Sequence, residues 1–547
     1  MTTASATQTA DPEPPAAERT RWPARARATA RRFYVDAAAG TLAVVLLFAL
    51  HNIYVMMKAN YWLDEAWVAA SVRLPLSDLP LATSSTPLGW TFLLRLVPDV
   101  DYLRLLPLAF LVAAILIAYA LGRSLGFPYR WEGVLAGLAA ATGVILLPAS
   151  QIRHDLKQYT ADAAVALALI TLVSLTERNW SRRHLGAIAA LSTVGMLISH
   201  PTAIIALCAS AGLVVTTLAR RQWRRLVESL VTGAVSGAAV LLVYLGVTTR
   251  GRNESLQTYW EGYFPNLDQF WENVNLRLNE LQPSLGMPWW LLLSLAGAGA
   301  LVVAFTGRPA TAIAVVLVPV VMAVLGLNKA YPLLDLRTSH FFLVLCAALA
   351  GLAVAGVPIG VVRLAAWAAG RSGQWTTAVA AVVAVTMFVI FVNNNQDWLR
   401  LNDAERVNPA NGTEQGDMRY GVQVLESQWK PGDVIVVNSL GSFAFALYWP
   451  REPAPRRNTH LAVGWLPTYP DDARVVVVED RTYEAIEASL ARARQLAAAP
   501  GATGRIWLMR THVIPAEQKM WRVALTPWVV ANKPKTGGVV VVIRPPS

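Results

Sequence analysis

Cysteine is nearly absent. The 547 residues hold two, Cys208 and Cys346, both inside apolar runs. With no Cys–His cluster at ligand spacing, neither a thiolate zinc site nor a disulfide framework is supported, and both read as small packing residues. Charge is scarce as well: 15% of residues are charged against 55% hydrophobic, and mean hydropathy is +0.41. That is too apolar for a soluble protein of this length and indicates a polytopic membrane protein. No P-loop and no glycine-rich fingerprint after a strand is present, so nothing supports nucleotide binding. No internal repeat is evident, whereas many secondary transporters are built from two related halves. The net charge of +12 does not point to nucleic acid, because the basic residues fall in short clusters between apolar runs and not on one soluble patch.

Those basic clusters set a topology. Residues 1 to about 18 are rich in Pro, Ala, Thr and Ser and are expected to be disordered. Arg19, Arg21, Arg25, Arg27, Arg31 and Arg32 complete a basic cytoplasmic leader of residues 1–36. The first apolar run, Ala37 to about Met57, is long for a signal-peptide core and leads into further spans, so it reads as a retained helix. Further runs lie at roughly 103–122, 132–149, 160–175, 185–200, 202–219, 230–248, 288–306, 309–327, 340–360 and 374–393, about eleven spans at ~20 residues each. Alternate connections carry Arg123 and Arg130; Arg178, Arg182 and Arg183; Arg220, Arg221, Arg224 and Arg225; Arg308; and Arg363 and Arg371. By the positive-inside rule these are cytoplasmic. An odd number of spans then carries the C-terminus to the outer side of a bacterial plasma membrane.

From about Asn394 the composition is that of a soluble domain. Residues 433–437, 474–478, 505–509 and 538–543 read as buried strands, and Tyr483 to about Ala499 has helical spacing. The expected architecture is a transmembrane domain over 37–393 followed by an extracytoplasmic α/β domain over 394–547.

The polar residues that look like chemistry fall on the outer connections. Asp64 and Glu65 follow the first span within Asn60-Tyr61-Trp62-Leu63-Asp64-Glu65-Ala66-Trp67. Carboxylates at a membrane boundary are solvated, paired or used. Arg153-His154-Asp155-Leu156-Lys157-Gln158-Tyr159 lies on the second outer connection. A helix there would put Arg153 and Lys157 on one face at i, i+4, which favours an anionic ligand between them over headgroup contacts alone. His200 ends another span, and Lys329, Asp335 and Arg337 lie on a later outer connection, against the positive-inside trend. His154 with Asp64 and Glu65 offers a mixed oxygen and nitrogen set for a divalent cation, although no local spacing demands one. In the segment 249–287, Tyr259, Trp260, Tyr263, Phe264 and Trp271 suit sugar stacking or an interfacial belt, while Trp289 and Trp290 read as belt.

An enzyme working outside the membrane has no nucleotide sugar at hand, so an activated sugar must arrive on a lipid carrier such as a polyprenyl phosphate. Transfer then needs a carboxylate to take the proton of the acceptor hydroxyl and cations or a metal to hold the departing phosphate. Asp64 is the expected base, with Glu65 fixing the local chain. Arg153, Lys157, Tyr159, Asp155, His200, Lys329 and Arg337 are the expected substrate-binding residues. Two other readings are a flippase for lipid-linked saccharide, which predicts charges in mid-span, and a non-catalytic envelope scaffold, in which Asp64 and Glu65 are dispensable.

The sequence resembles the GT-C superfamily of membrane glycosyltransferases, within it the protein O-mannosyltransferase and aminoarabinose transferase group. The resemblance rests on Trp62-Leu63-Asp64-Glu65-Ala66, Thr86-Pro87-Leu88-Gly89-Trp90, Leu103-Arg104-Leu105-Leu106-Pro107 and Leu121-Gly122-Arg123, with Arg153 to Asp162 similar in position to the second outer loop. It implies inverting transfer from a polyprenyl-phosphate sugar, with Asp64 as base and Glu65 in support; the leading reading of the chain is such transfer to a cell-envelope glycan, glycolipid or protein. Members differ in their use of a divalent metal.

Overall fold

The structure is a computed structural model. It describes residues 21–547 except 52, 54–56, 58–60, 62, 83–85, 149–154, 252–257, 371–372, 408–417, 535, 537–538 and 546–547. The expected disordered stretch, together with Arg153 and His154, lies outside the described residues.

The chain opens with α1 (Arg21–Leu50), then a short helix α2 (Leu63–Val72) and α3 (Leu88–Leu94). A bundle follows: α4 (Leu105–Ser124), α5 (Arg130–Leu146), α6 (Tyr159–Arg178), α7 (Arg182–Ile198), α8 (Thr202–Ala219) and α9 (Trp223–Gly246). After α10 (Phe270–Leu281) come α11 (Trp289–Phe305), α12 (Pro309–Leu327), α13 (His340–Ala368) and α14 (Gln374–Val407). Each expected span overlaps a helix, the first, Ala37 to about Met57, only as far as Leu50. Among the described residues seven helices are long and apolar enough to cross a membrane, or eight if the segments Leu267–Ser284 and Trp289–Phe305, bent by 92°, form one span. The expected count of about eleven is not reached on that measure, because α5, α7 and the apolar part of α1, Tyr34–Leu50, fall below the 18 residues required; a 17-residue helix rises about 25 Å against a hydrocarbon core of ~30 Å. The chain is a multi-pass membrane protein.

Helix α13 is the axis of the bundle. It is apolar all round and buried along 89% of its most apolar stretch, whereas α9 and α14 are buried along only 17% and occupy the periphery. Close approach at the centre depends on glycine: a Cβ on Gly351 of α13 would stand 2.0 Å from the Ala139 carbonyl oxygen of α5, and one on Gly143 of α5 would stand 2.2 Å from that of Ala347. Small residues let helix backbones meet where lipid offers no hydrophobic gain. One end of the bundle is tied by Arg123 to Asp36 at 2.7 Å and Arg363 to Glu132 at 2.5 Å. The other end carries Asp64, Arg104, Lys157 and Arg337.

The C-terminal part begins with α15 (Met418–Gln428). Helix α14 runs on to Val407, past the boundary expected at Asn394. Strands β1 (Val434–Val437), β4 (Val475–Val477), β5 (Ile506–Met509), β6 (Val529–Asn532) and β7 (Val540–Arg544) form a sheet ordered β4-β1-β5-β7-β6. The β4, β1 and β5 strands are parallel, and β7 is antiparallel to both neighbours. A small hairpin joins β2 (Ala454–Arg457) to β3 (Trp465–Thr468). Helices α16 (Gly441–Tyr448), α17 (Tyr483–Ala498) and α18 (Pro515–Ala524) complete it. The two-residue period of a strand divides the sheet's side chains. Val434, Val436, Ile506 and Leu508 pack with Ile486 and Leu490 of α17, while Ile435, Val437, Trp507 and Met509 pack on the other face with Phe443 and Phe445 of α16.

That second face holds an outsider. Ala66, Ala70 and Leu74, from the segment of α2, are buried in the same apolar cluster as the sheet. Val68 and Ala69 of α2 point the other way and pack with Trp90, Leu94, Leu103, Leu156 and Ala161 of the bundle. One helix is thus shared between two cores.

Candidate active site

The shared helix carries Asp64 and Glu65. The sequence placed them in a loop, but they open α2. Acidic residues in a first turn are favoured by the free N–H groups and dipole of a helix N-terminus, and Ala66, Ala69 and Ala70 are strong helix formers. Both carboxylates are buried, Asp64 at 5% exposure and Glu65 at 1%, so each must have partners.

The partners differ. Glu65 forms a two-pronged pair with Arg104, whose Nε donates to Oε1 at 3.0 Å and Nη2 to Oε2 at 2.8 Å. Arg104 is 2% exposed and its guanidinium also covers the Tyr61 ring, 4.7 Å from the centroid. This planar fork-to-fork geometry locks the first turn of α2 onto the start of α4.

Asp64 faces the opposite way. Its Oδ2 accepts from Lys157 Nζ at 3.0 Å and from Arg337 Nη1 at 2.7 Å. Its Oδ1 accepts no hydrogen bond from any described residue. Lys157 lies 4.6 Å above the Trp67 ring, one turn along α2. The ammonium is therefore fixed on two sides by residues of a single helix.

Each cation comes from a shaped turn. The expected helix carrying Arg153 and Lys157 at i, i+4 is not what forms at Lys157: α6 begins only at Tyr159. Asp155 Oδ1 instead accepts the backbone N–H of Lys157 at 3.0 Å, an Asx turn that competes with helix. Trp90 fixes the same turn, its Nε1 donating to the Leu156 carbonyl at 2.6 Å. Asp335 repeats the device, its Oδ1 accepting the N–H groups of Arg337 and Thr338 at 2.9 Å each. Asp335 thus holds the Arg337 backbone and leaves the guanidinium to reach Asp64.

Electrostatics follow from burial. Burial, then the neighbouring charge of Glu65, push the Asp155 carboxyl up to about 7, with Lys157 pulling the other way. Burial likewise raises Asp335. For Arg337 burial is the largest single influence and opposes the charge, but Asp64, Tyr159, Tyr259 and Asp155 together outweigh it and the pKa is raised.

The remaining expected site residues divide. Tyr159 is buried among Asp155, Asp64 and Arg337. His200, between α7 and α8, is partly buried, and the packing around its ring pushes it down to about 4, so at neutral pH it brings no cation to a phosphate. Lys329 is exposed at the end of α12 with left-handed backbone, and no hydrogen bond or ion pair among the described residues joins it to Asp64. Among the described residues no three His, Cys, Asp or Glu side chains are placed to hold a metal, and His154, the expected metal partner of Asp64, lies outside them. Arg104, Trp67 and Tyr61 were not expected at the site, although their letters sit in the motifs around it.

No family model matches the sequence, and no curated protein does. Solved structures do. Aminoarabinose transferase ArnT from Cupriavidus metallidurans, determined bound to undecaprenyl phosphate, is 15% identical over 92% of this chain and 97% of its own, with a TM-score of 0.52. The oligosaccharyltransferase AglB from Archaeoglobus fulgidus, in complex with an inhibitory peptide and a dolichol-phosphate, covers 87% of this chain and 70% of its own at 13% identity and a TM-score of 0.45. The apo Archaeoglobus fulgidus oligosaccharyltransferase covers 87% and 69% at 12% identity and a TM-score of 0.48. The likeness to ArnT covers both chains nearly end to end and is one of overall architecture: the chain shares the fold of that structure.

Proposed function

We propose that this protein transfers a sugar from a polyprenyl-phosphate donor to a hydroxyl of a cell-envelope glycan, glycolipid or protein, on the outer face of a bacterial plasma membrane. The observation that carries the proposal is Asp64, with one carboxylate oxygen held by two cations and the other accepting from no described residue. ArnT's undecaprenyl phosphate is the kind of ligand those cations suit. The transmembrane part, residues 37–393, supplies the reacting groups, and residues 394–547 form a domain outside the membrane.

The donor phosphate binds Lys157 and Arg337, which its charge draws away from Asp64. The carboxylate, released from its partners, takes the acceptor proton through Oδ1. The acceptor oxygen bonds to the anomeric carbon as the bond from that carbon to the phosphate oxygen breaks, and the electron pair leaves on polyprenyl phosphate, where the two cations stabilise the growing charge. A single displacement inverts the anomeric centre. Glu65 and Arg104 keep the first turn of α2 in place, and Asp155 and Asp335 hold the cation-bearing turns.

The test is transfer from a panel of radiolabelled polyprenyl-phosphate sugars to membrane acceptor extract by the purified protein in nanodiscs. Transfer, or slow donor hydrolysis without acceptor, is expected with at least one donor. Neither with any donor overturns the reading, and proteoliposome flipping of the same donors becomes the next assay.

A pH dependence follows from Asp155. Below about 7 it is neutral and above about 7 it is charged, so raising the pH from 6 to 8 adds a negative charge beside the phosphate-binding cations. Donor affinity should fall by roughly 5-fold across that window, about 1 kcal/mol. The measurement uses a phosphodiester donor, whose own charge is constant there, and Asp155→Asn should flatten the profile.

A further inference from the structure

The C-terminal part carries a distinctive construction at the ends of its central strands. Asn438, just after β1, clasps the backbone of Thr511, just after β5: its Nδ2 donates to the Thr511 carbonyl at 2.9 Å and its Oδ1 accepts the Thr511 N–H at 3.1 Å. The clasp is buried, and it leaves His512 in left-handed backbone, with φ of 55°. Non-glycine residues are uncommon there and persist where their surroundings enforce it, often at functional sites. The carboxyl ends of parallel strands are also where open α/β sheets bind ligands.

The clasp's neighbour aims it. A Cβ on Gly441, the first residue of α16, would lie 2.3 Å from Asn438 Oδ1 and 3.2 Å from Thr511 Cγ2, so the start of α16 is packed against the clasp. Helix α16 lies along α2. At its far end Arg73, just after α2, donates from Nη1 to the carbonyls of Leu447 at 2.6 Å and Ala446 at 3.0 Å. At its near end Phe443 meets Trp67, ring centroids 6.3 Å apart. The two helices therefore run in the same direction, and the start of α16, with His512 beside it, lies by the start of α2, where Asp64 stands. The Asp64 carboxylate acts electrostatically on the imidazole, but burial outweighs it and pushes His512 down to about 4, leaving a neutral ring that both donates and accepts hydrogen bonds.

We propose that His512 is the acceptor-binding residue that the C-terminal domain supplies to the site, holding the incoming hydroxyl oxygen against Asp64 Oδ1. This rests on the glycosyl-transfer reading above. The cations occupy one side of Asp64 for the donor phosphate; His512 brings a neutral hydrogen-bonding group from outside the membrane, the side from which a cell-envelope hydroxyl comes.

The test compares wild type, His512→Gly and His512→Asn in nanodiscs. Glycine and asparagine tolerate left-handed backbone, so both variants keep the turn, and unchanged unfolding temperatures check this. Each is given a donor active with wild type, and two rates are read: transfer to membrane acceptor extract and donor hydrolysis by water. For His512→Gly we expect transfer to fall roughly 10-fold or more, the scale of one lost hydrogen bond with its partner left unpaired, with the acceptor KM raised and hydrolysis within about 2-fold of wild type. His512→Asn should recover part of the transfer. An active wild type whose ratio of transfer to hydrolysis is unchanged in His512→Gly overturns the assignment alone, as does equal loss of both rates. A wild type that neither transfers nor hydrolyses overturns the glycosyl-transfer reading, and the assignment falls with it.

Discussion

Asp64→Asn is expected to lower sugar transfer by roughly 10²- to 10⁴-fold, the range for removing a general base, without weakening donor binding. The amide keeps the shape of the carboxylate but cannot take the acceptor proton. Lys157 and Arg337 no longer share Oδ2 with a charged partner, so they meet the donor phosphate without competition. Dissociation constants for donor should be equal to or lower than those of wild type. The same substitution leaves two largely desolvated cations facing a neutral group, a costly arrangement. The apo variant should therefore unfold at a lower temperature than wild type, and added polyprenyl phosphate should raise its unfolding temperature by more than it raises that of wild type. Thermal unfolding in nanodiscs with and without polyprenyl phosphate, beside single-turnover transfer, separates the two effects. Transfer undiminished in the variant would remove Asp64 from the role of base.

Arg104→Ala should be the most damaging single change to stability near the site. It strands Glu65, 1% exposed, without its two-pronged partner, and breaking such a pair from one side costs about 3–5 kcal/mol. Glu65→Ala strands the guanidinium in the same way. Replacing both at once, as Glu65→Met with Arg104→Met, removes the two charges together and should recover most of the unfolding temperature. A double-mutant cycle on thermal stability measures the coupling; additive losses would mean that the pair does not hold α2 to α4. Transfer in the double variant should remain below wild type, because apolar contacts fix the direction of the first turn less tightly than a planar two-bond pair.

Much of the architecture is legible in the sequence because it follows from periodicity and run length. Apolar runs separated by arginine clusters give the bundle, and short β-branched or apolar runs at 433–437, 474–478 and 505–509 give the parallel strands. What escaped was set by partners distant in the chain. The hairpin strand Ala454–Arg457 is short, exposed and carries no apolar run, and the edge strand β6 is only four exposed residues, Val529–Asn532. Asp64 was visible as a carboxylate at a membrane boundary, and Lys157 and Arg337 as cations on the same side, but nothing local said that both end on one oxygen, from 93 and 273 residues away. The helix expected through Arg153 and Lys157 lost to an Asx turn, a competition that the letter Asp155 permits without deciding. His512 had no motif at all; its place follows from the clasp on Thr511 by Asn438, 73 residues before that threonine.

Helix α2 is completed by material from both ends of the chain. Its inner face waits on the first bundle helices, and its outer face on strands that end near Arg544. During synthesis the acidic turn emerges well before the residues beyond Met418 that pack on its outer face. The protein therefore has a built-in order of maturation: a chain still being made, or one cut short before β7, has its membrane helices yet lacks the second wall that holds the carboxylates.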